Sequence, residues 1–173
     1  IDLTVYTYKE GLAARMGHDL KVRAHSLACR VAVGADGSLA LDATVDPRQV
    51  AVECAIVNGR EDHQALSAGD KGKINGHIQG DVLDTRRHRE IRFVSTRVTK
   101  SAAALDIEGQ LTLTGRTRPI RLQALAKDGR YVARVRLHQP DFGIKPFSAP
   151  LGVLRIKADV EVEVSLPGEL PGR

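Results

Sequence analysis

The side chains that could do chemistry are few and scattered. Of the six histidines, His18 and His25 differ in parity within one extended run, and His63 and His77 stand too far apart for one helical turn. His88 follows Asp84 by four residues, a spacing typical of a capping or ion-pair contact. No Ser-His-Asp order, carboxylate pair or metal-ligand spacing stands out, so no catalytic and no metal residue is assigned and an enzyme is not expected. Cys29 and Cys54 allow one disulfide or two free thiols, and neither has the CxxC or near-histidine spacing of redox or zinc chemistry. What remains is recognition of charge. Arg86, Arg87, His88 and Arg89 form one basic knot and Arg116 with Arg118 another, each able to meet a diphosphate or carboxylate. With His18 as an end-site contact, the candidate head-group residues are His18, Arg86, His88 and Arg116; solvated turns and a structural histidine are the competing reading.

The elements that must position these groups alternate apolar and polar residues with period two over most of the chain. The last run is the plainest: Leu154, Ile156, Ala158, Val160, Val162, Val164 and Leu166 interleave with Arg155, Lys157, Asp159, Glu161, Glu163 and Ser165, which predicts one long strand. Similar runs cover 3–8, 20–33, 39–45, 50–57, 91–99, 105–113, 118–127 and 130–138, joined by short turns that predict antiparallel neighbours. A two-residue loop at Asp128-Gly129 sets Lys127 against Arg130, Ala126 against Tyr131, Ala124 against Ala133, Leu122 against Val135 and Ile120 against Leu137. That register also sets Arg121 opposite Arg136, with Glu108 next door to relieve the repulsion. At 35–37 a two-residue loop would mix the faces, whereas a three-residue loop with left-handed Gly37 pairs Val33 with Leu39 and Leu27 with Val45. The parity switch between Ala24 and Leu27 requires a bulge or bend near His25-Ser26.

One region, 62–83, does not alternate. Ile74, Ile78 and Val82 fall four apart, as do Gly72, Gly76 and Gly80, which predicts a helix with an apolar stripe beside a glycine stripe packed closely on the sheet. Many strands, one helix and no second domain leave a sandwich or a closed barrel; residues 1–166 read as one domain and 167–173 as a frayed tail.

Composition narrows the partners. The chain is 42% hydrophobic with no Trp, three Phe and three Tyr, so its core is aliphatic. A net charge of +5 suits an acidic lipid or phosphate, while the lack of aromatic platforms and recognition motifs argues against nucleic acid. No run approaches the ~20 apolar residues of a membrane-spanning helix. The expected compartment is the cytoplasm, or the periplasm if an upstream signal has been removed.

Four segments, in order, are similar to the YceI-like family: "GHDLKVRAHS" from Gly17, "GDVLDTRRHREIRFVST" from Gly80, "GQLTLTGRTRPIRL" from Gly109, and "DFGI" from Asp141. The resemblance implies an all-β fold, an extended antiparallel eight-stranded lipocalin-like barrel with one helix packed at one end. It also implies a homodimer with a long apolar lipid in its lumen, an isoprenoid such as a quinone or polyprenyl compound, or a fatty-acid derivative. No other cofactor is expected. Arg89 stands where the family commonly has Pro, and Gln139-Pro140 precede Asp141 where Arg is frequent, so the family's head-group contacts do not carry over.

Small inward residues leave room in such a tube. Parity places Val22, Ala24, Ala43, Leu111 and Leu113 on the inner face, with Ile120, Leu122, Ala124, Val135 and Leu137 on the next strands. Phe93, Phe142, Ile144 and Phe147 line or gate a mouth, or serve as plain core anchors. Transient contact with a membrane surface is a further expectation from the basic face. The alternative to a carrier is a filled barrel acting as a structural or interaction module.

Overall fold

Period-two alternation becomes strand wherever it is continuous. The computed structural model describes residues 1–168 and contains β1 (Asp2–Thr7), β2 (Lys9–Glu10), β3 (Asp19–Ala24), β4 (Leu27–Val33), β5 (Leu39–Val45), β6 (Val50–Val57) and β7 (Arg60–Asp62). A single α-helix, α1 (Ala68–His77), continues into a π-helical turn at Ile78–Val82. Then follow β8 (Ile91–Lys100), β9 (Ala104–Leu113), β10 (Arg116–Lys127), β11 (Arg130–His138), β12 (Arg155–Ile156) and β13 (Asp159–Pro167). The run from Leu154 is thus two strands rather than one, because Arg155 and Ile156 pair with β2 in a separate two-stranded sheet. Gly168 extends the last strand by donating its N–H to Gly129 O at 2.9 Å; residues 169–173, the rest of the expected tail, lie outside the described residues.

The main sheet runs β4-β5-β8-β9-β10-β11-β13-β1-β3-β6-β7. β3 and β4 are one line of chain bent at His25-Ser26, and β5 and β6 one line bent at the 3₁₀ turn Pro47–Gln49. With each bent pair taken as one strand, eight antiparallel strands form a ring, because β1 pairs both with β13 and with β3. The expected bend is held by His25 N–H donating to Gln49 O at 3.0 Å and by Asp46 N–H donating to Ser26 Oγ at 3.0 Å.

Turn chemistry sets the registers. Val33 pairs with Leu39 and Leu27 with Val45, with Gly37 at φ +80°. Asn58-Gly59, Thr114-Gly115 and Asp128-Gly129 each have both residues at positive φ, the two-residue hairpin geometry whose twist matches that of the strands. The last loop gives the pairs from Lys127/Arg130 to Ala124/Ala133, and there the ladder stops. Leu122/Val135 and Ile120/Leu137 are therefore not ladder partners. Pro119 explains part of this: its neighbours bond to β9, and the N–H it lacks is one that would face β11. Arg121 accordingly meets Glu108, at 3.6 Å, rather than Arg136, whose partner is Glu161 on β13.

A bulge positions the helix. Val22 pairs with Val52 and Lys21 with Cys54, which leaves Glu53 as an extra residue on β6. The backbone groups freed there are taken by α1: Val52 N–H donates to Asn75 Oδ1 and Lys71 Nζ donates to Glu53 O, both at 2.8 Å. The helix begins in a capping box between Ser67 and Asp70. Its apolar stripe behaves as expected, with Ile74 against Val52, Ala55 and Leu66, and Ile78 and Val82 against Val22 and Leu83. The glycine stripe does not. Gly72, Gly76 and Gly80 are exposed, and a methyl group added to any of them would meet nothing within 4 Å, so they make no close approach to the sheet. The stripes lie a quarter-turn or more apart, and once the apolar one is buried the other points to solvent.

Gly109 is the opposite case. A side chain there would collide with the Phe93 ring and with Val94 O, so the glycine leaves the space over which Phe93 lies. Glycine-to-alanine substitutions at the two places should therefore have opposite signs. In urea titrations Gly72→Ala and Gly76→Ala are each expected to stabilise by about 0.5–1 kcal/mol, and Gly109→Ala to destabilise by about 1–3 kcal/mol.

Candidate functional site: an apolar lumen with a polar vestibule

The ring does not pack solid. At the end holding the 35–37 and 128–129 turns, Leu105, Tyr131 and Leu166 fill the interior with Leu41, Ile107 and Ala133. Above them lies a cavity of about 260 Å³. Its wall is Leu, Val, Ile, Ala and Phe, with Cys29, Thr7 and Gln139 the exceptions. A second cavity, of about 490 Å³, lies under α1 and shares Thr7, Val22, Ile78, Val82 and Gln139 with the first. We call it the vestibule. It is lined by Met16, His18, Asp70, Lys73, His77 and Phe147, among others, so polarity rises outward from the lumen.

Thr7 and Gln139 therefore stand at the neck. Gln139 Nε2 donates to Lys157 O at 3.0 Å. Thr7 Oγ1 is buried without a hydrogen-bond partner, a group that ordinarily finds one. Farther out, the Phe147 ring lies 4.6 Å from that of His77, whose Nδ1 is 2.6 Å from Asp81 Oδ2.

Val22, Ala43, Phe93, Leu111, Leu113, Ile120, Leu122, Ala124, Val135, Leu137, Phe142 and Ile144 all line the lumen. Ala24 does not: it is 6% exposed in the wall beside Val45 and Val50, just before the bend turns the chain. Phe147 lines the vestibule instead. Phe142 and Ile144 pack with Leu111 and beside Ile120 and Leu137, on the interior side of the stretch where β10 and β11 are unpaired. The 3₁₀ turn Gln139–Phe142 is tied there by Arg118 Nε donating to Asp141 O at 3.1 Å and Thr114 Oγ1 to Phe142 O at 2.6 Å.

The expected head-group set does not come together. His18 lines the vestibule, while Arg86, His88 and Arg116 line neither cavity. His88 lies against Gly115 in the neighbouring turn, and the Arg116 guanidinium covers Gly143. The first basic segment links the π-helical turn to β8 and Arg116 opens β10, so both sit outside the rim, where these wall strands begin. Sequence reasoning did not single out β1 or the neck: Leu3, Val5 and Thr7 line the lumen, and the alternation of run 3–8 was the signal for them.

Both thiols are free, and burial pushes both up from the usual value; Cys29 faces the lumen. Cys54, Glu61 and His63 bring their Sγ, carboxylate and imidazole atoms within 4.8 Å of one another on the β6–β7 hairpin, a grouping that their sequence spacing did not suggest. The cation at this place is Lys21, whose Nζ lies 2.8 Å from Glu61 Oε1 and 3.4 Å from Glu53 Oε2. The second contact satisfies Glu53 as charge but not as a hydrogen bond. We read the cluster as an ion-pair network.

The fold and lumen define an antiparallel β-barrel with an apolar interior cavity. The chain matches the YceI-like domain model over residues 16–167, and it belongs to that family. It is 31% identical to Protein YceI of Escherichia coli O157:H7 over 98 residues, 51% of this chain and 49% of that one. A UPF0312 protein of Vibrio cholerae is 27% identical over 115 residues, 60% of each chain. The matched stretches thus span about half to three-fifths of these relatives. Among solved structures, Burkholderia cenocepacia BcnA superposes with a TM-score of 0.65 at 12% identity, covering 95% of this chain and 94% of that one. A polyisoprenoid binding domain from Saccharophagus degradans gives 0.60 at 13% identity, covering 95% and 91%.

The Lys21 network makes a pH prediction. The Lys21 ammonium, chiefly through its hydrogen bond, holds the Glu61 carboxyl below its usual value. A carboxylate lowered on folding stabilises the fold above its unfolded value and loses that contribution as pH falls through the folded one. Glu61→Gln should therefore be less stable than wild type near neutral pH, and the difference should vanish in thermal melts taken well below about pH 4.

Proposed function

We propose that this protein binds and carries or sequesters a long apolar lipid without transforming it. The ligand is an isoprenoid such as a quinone or polyprenyl compound, or a fatty-acid derivative. The observation that carries this reading is the apolar lumen wall ending in a neck where Thr7 Oγ1 is buried and unpartnered among the described residues. A tail in the lumen gains about 0.8 kcal/mol for each methylene removed from water, and a hydroxyl or carbonyl-bearing end at the neck meets Thr7 and Gln139. Support comes also from the Saccharophagus domain, whose polyisoprenoid binding is a property of a similarly folded protein. Among the described residues no cluster of reactive groups faces the lumen, which favours holding over chemistry. Of the four head-group residues expected, only His18 keeps a place in this reading. Residues 1–166 act as one barrel unit, and the reading includes a homodimer and a transient membrane contact.

Native mass spectrometry of protein purified from its own host, before and after organic extraction, should show a stoichiometric apolar compound. A clean apo mass together with no uptake of added quinone or fatty acid would sink the carrier reading. Ala43→Phe, which places a ring in the lumen opposite Phe93, should lower uptake of a fluorescent polyene fatty acid at least tenfold while the far-ultraviolet spectrum stays unchanged.

A further inference from the structure

Two loops beside the vestibule carry large apolar side chains that the fold leaves in water. Leu12 is 99% exposed, Leu151 98%, Met16 84% and Val153 40%. Single exposed leucines are ordinary, but these four lie on segments bonded to each other: Ala13 N–H donates to Val153 O at 2.8 Å. Gly11 makes the approach possible, since a side chain there would run into Val153 O. Leu151 has φ +65°, a left-handed conformation that disfavours a bulky residue and is kept here with no packing in return. The same segments form part of the vestibule wall, through Met16, Gly17, His18 and Leu154.

The charge around this apolar tip is unbalanced. Arg15, Lys73 and Lys157 are exposed and have no salt-bridge partner among the described residues. Arg155 has only Glu10, at 3.8 Å. The nearby carboxylates keep their charge while hydrogen-bonded, Asp19 to the Lys9 N–H and Asp70 in the helix cap, and with Glu10 they number three against the five cations Lys9, Arg15, Lys73, Arg155 and Lys157.

From this we infer that the loops of residues 11–17 and 149–154 dock on an anionic lipid bilayer, Leu12 and Leu151 entering the acyl boundary while the surrounding cations meet the head groups. The inference rests on the carrier reading for its purpose: a tail passing between bilayer and vestibule would avoid water. A second copy of the chain fits less well, because four side chains on two convex tips fall far short of the 20–30 residues a side of a stable interface. Apolar insertion combined with anionic attraction is the physics of peripheral membrane binding.

The test is flotation of the purified protein with phosphatidylglycerol/phosphatidylcholine vesicles, run beside uptake of a fluorescent polyene fatty acid in vesicle-free buffer. Wild type should float with the anionic vesicles, less at high salt, and poorly with phosphatidylcholine alone. The double variant Leu12→Asp/Leu151→Asp should lose at least tenfold in partitioning. Leu125→Asp, at an exposed apolar position on β10, should match wild type, and fatty-acid uptake should be unchanged in all three. Wild type that stays off anionic vesicles, or a double variant that floats like wild type, overturns the inference. So does a double variant altered only in sedimentation mass, which would make the occupant a second copy. Loss of flotation in a protein that never takes up the fatty acid would leave docking standing and remove the carrier reading.

Discussion

Eight strands closed into a ring fix a diameter that side chains can only just fill. The lumen follows from that constraint and from what the sequence puts inside. At one end Leu105, Tyr131 and Leu166 reach the axis and meet, while nearer the neck Ala43 and a series of valines do not. With no Trp and three Phe in the chain, the upper half cannot be refilled by its own wall. The vestibule inherits this geometry, since α1 and the π-turn lie over the open end and line the passage with Ile78 and Val82.

What holds the helix there is a defect in the ladder. The extra residue at Glu53 frees a donor and an acceptor on β6, and Asn75 and Lys71 take them, so the bulge and the helix each satisfy the other. Buried polar backbone must be paired somewhere, which makes this a specific docking contact in an otherwise apolar packing surface. Two glycine patterns then part company: Gly109 makes room for Phe93, while the stripe on α1 makes room for nothing in this chain.

Most of the fold was legible because its rules are local. Period-two runs gave the strands, parity demanded the bend at His25-Ser26, and face matching chose the loop at Gly37. The strand-borne lumen residues followed from the same parity except Ala24, which sits where the bend suspends it, while of the loop residues Phe142 and Ile144 line the lumen and Phe147 the vestibule. The failures needed three dimensions. That β10 and β11 part above Ala124 depends on Pro119 and on the turn Gln139–Phe142 packing there. The basic turns carry suitable side chains, but strand length places them outside the rim, and charge pattern alone holds no information on that distance. Cys54 and His63 meet only because the Asn58-Gly59 hairpin brings them opposite each other.

The parting of β10 and β11 gives the wall a seam. Around most of the ring, neighbouring strands are linked by backbone hydrogen bonds; along the upper half of this line the link is the turn Gln139–Phe142, which packs Phe142 beside Ile120 and Leu137 and takes side-chain hydrogen bonds from Arg118 and Thr114. Side-chain contacts of this kind can adjust by rotamer changes that a backbone ladder does not allow. The tube's girth is thus compliant along one line and stiff along the others. Under the proposed carrier function, chains of differing cross-section would be accommodated by displacement of the turn that carries Phe142, with the rest of the cylinder left as it is.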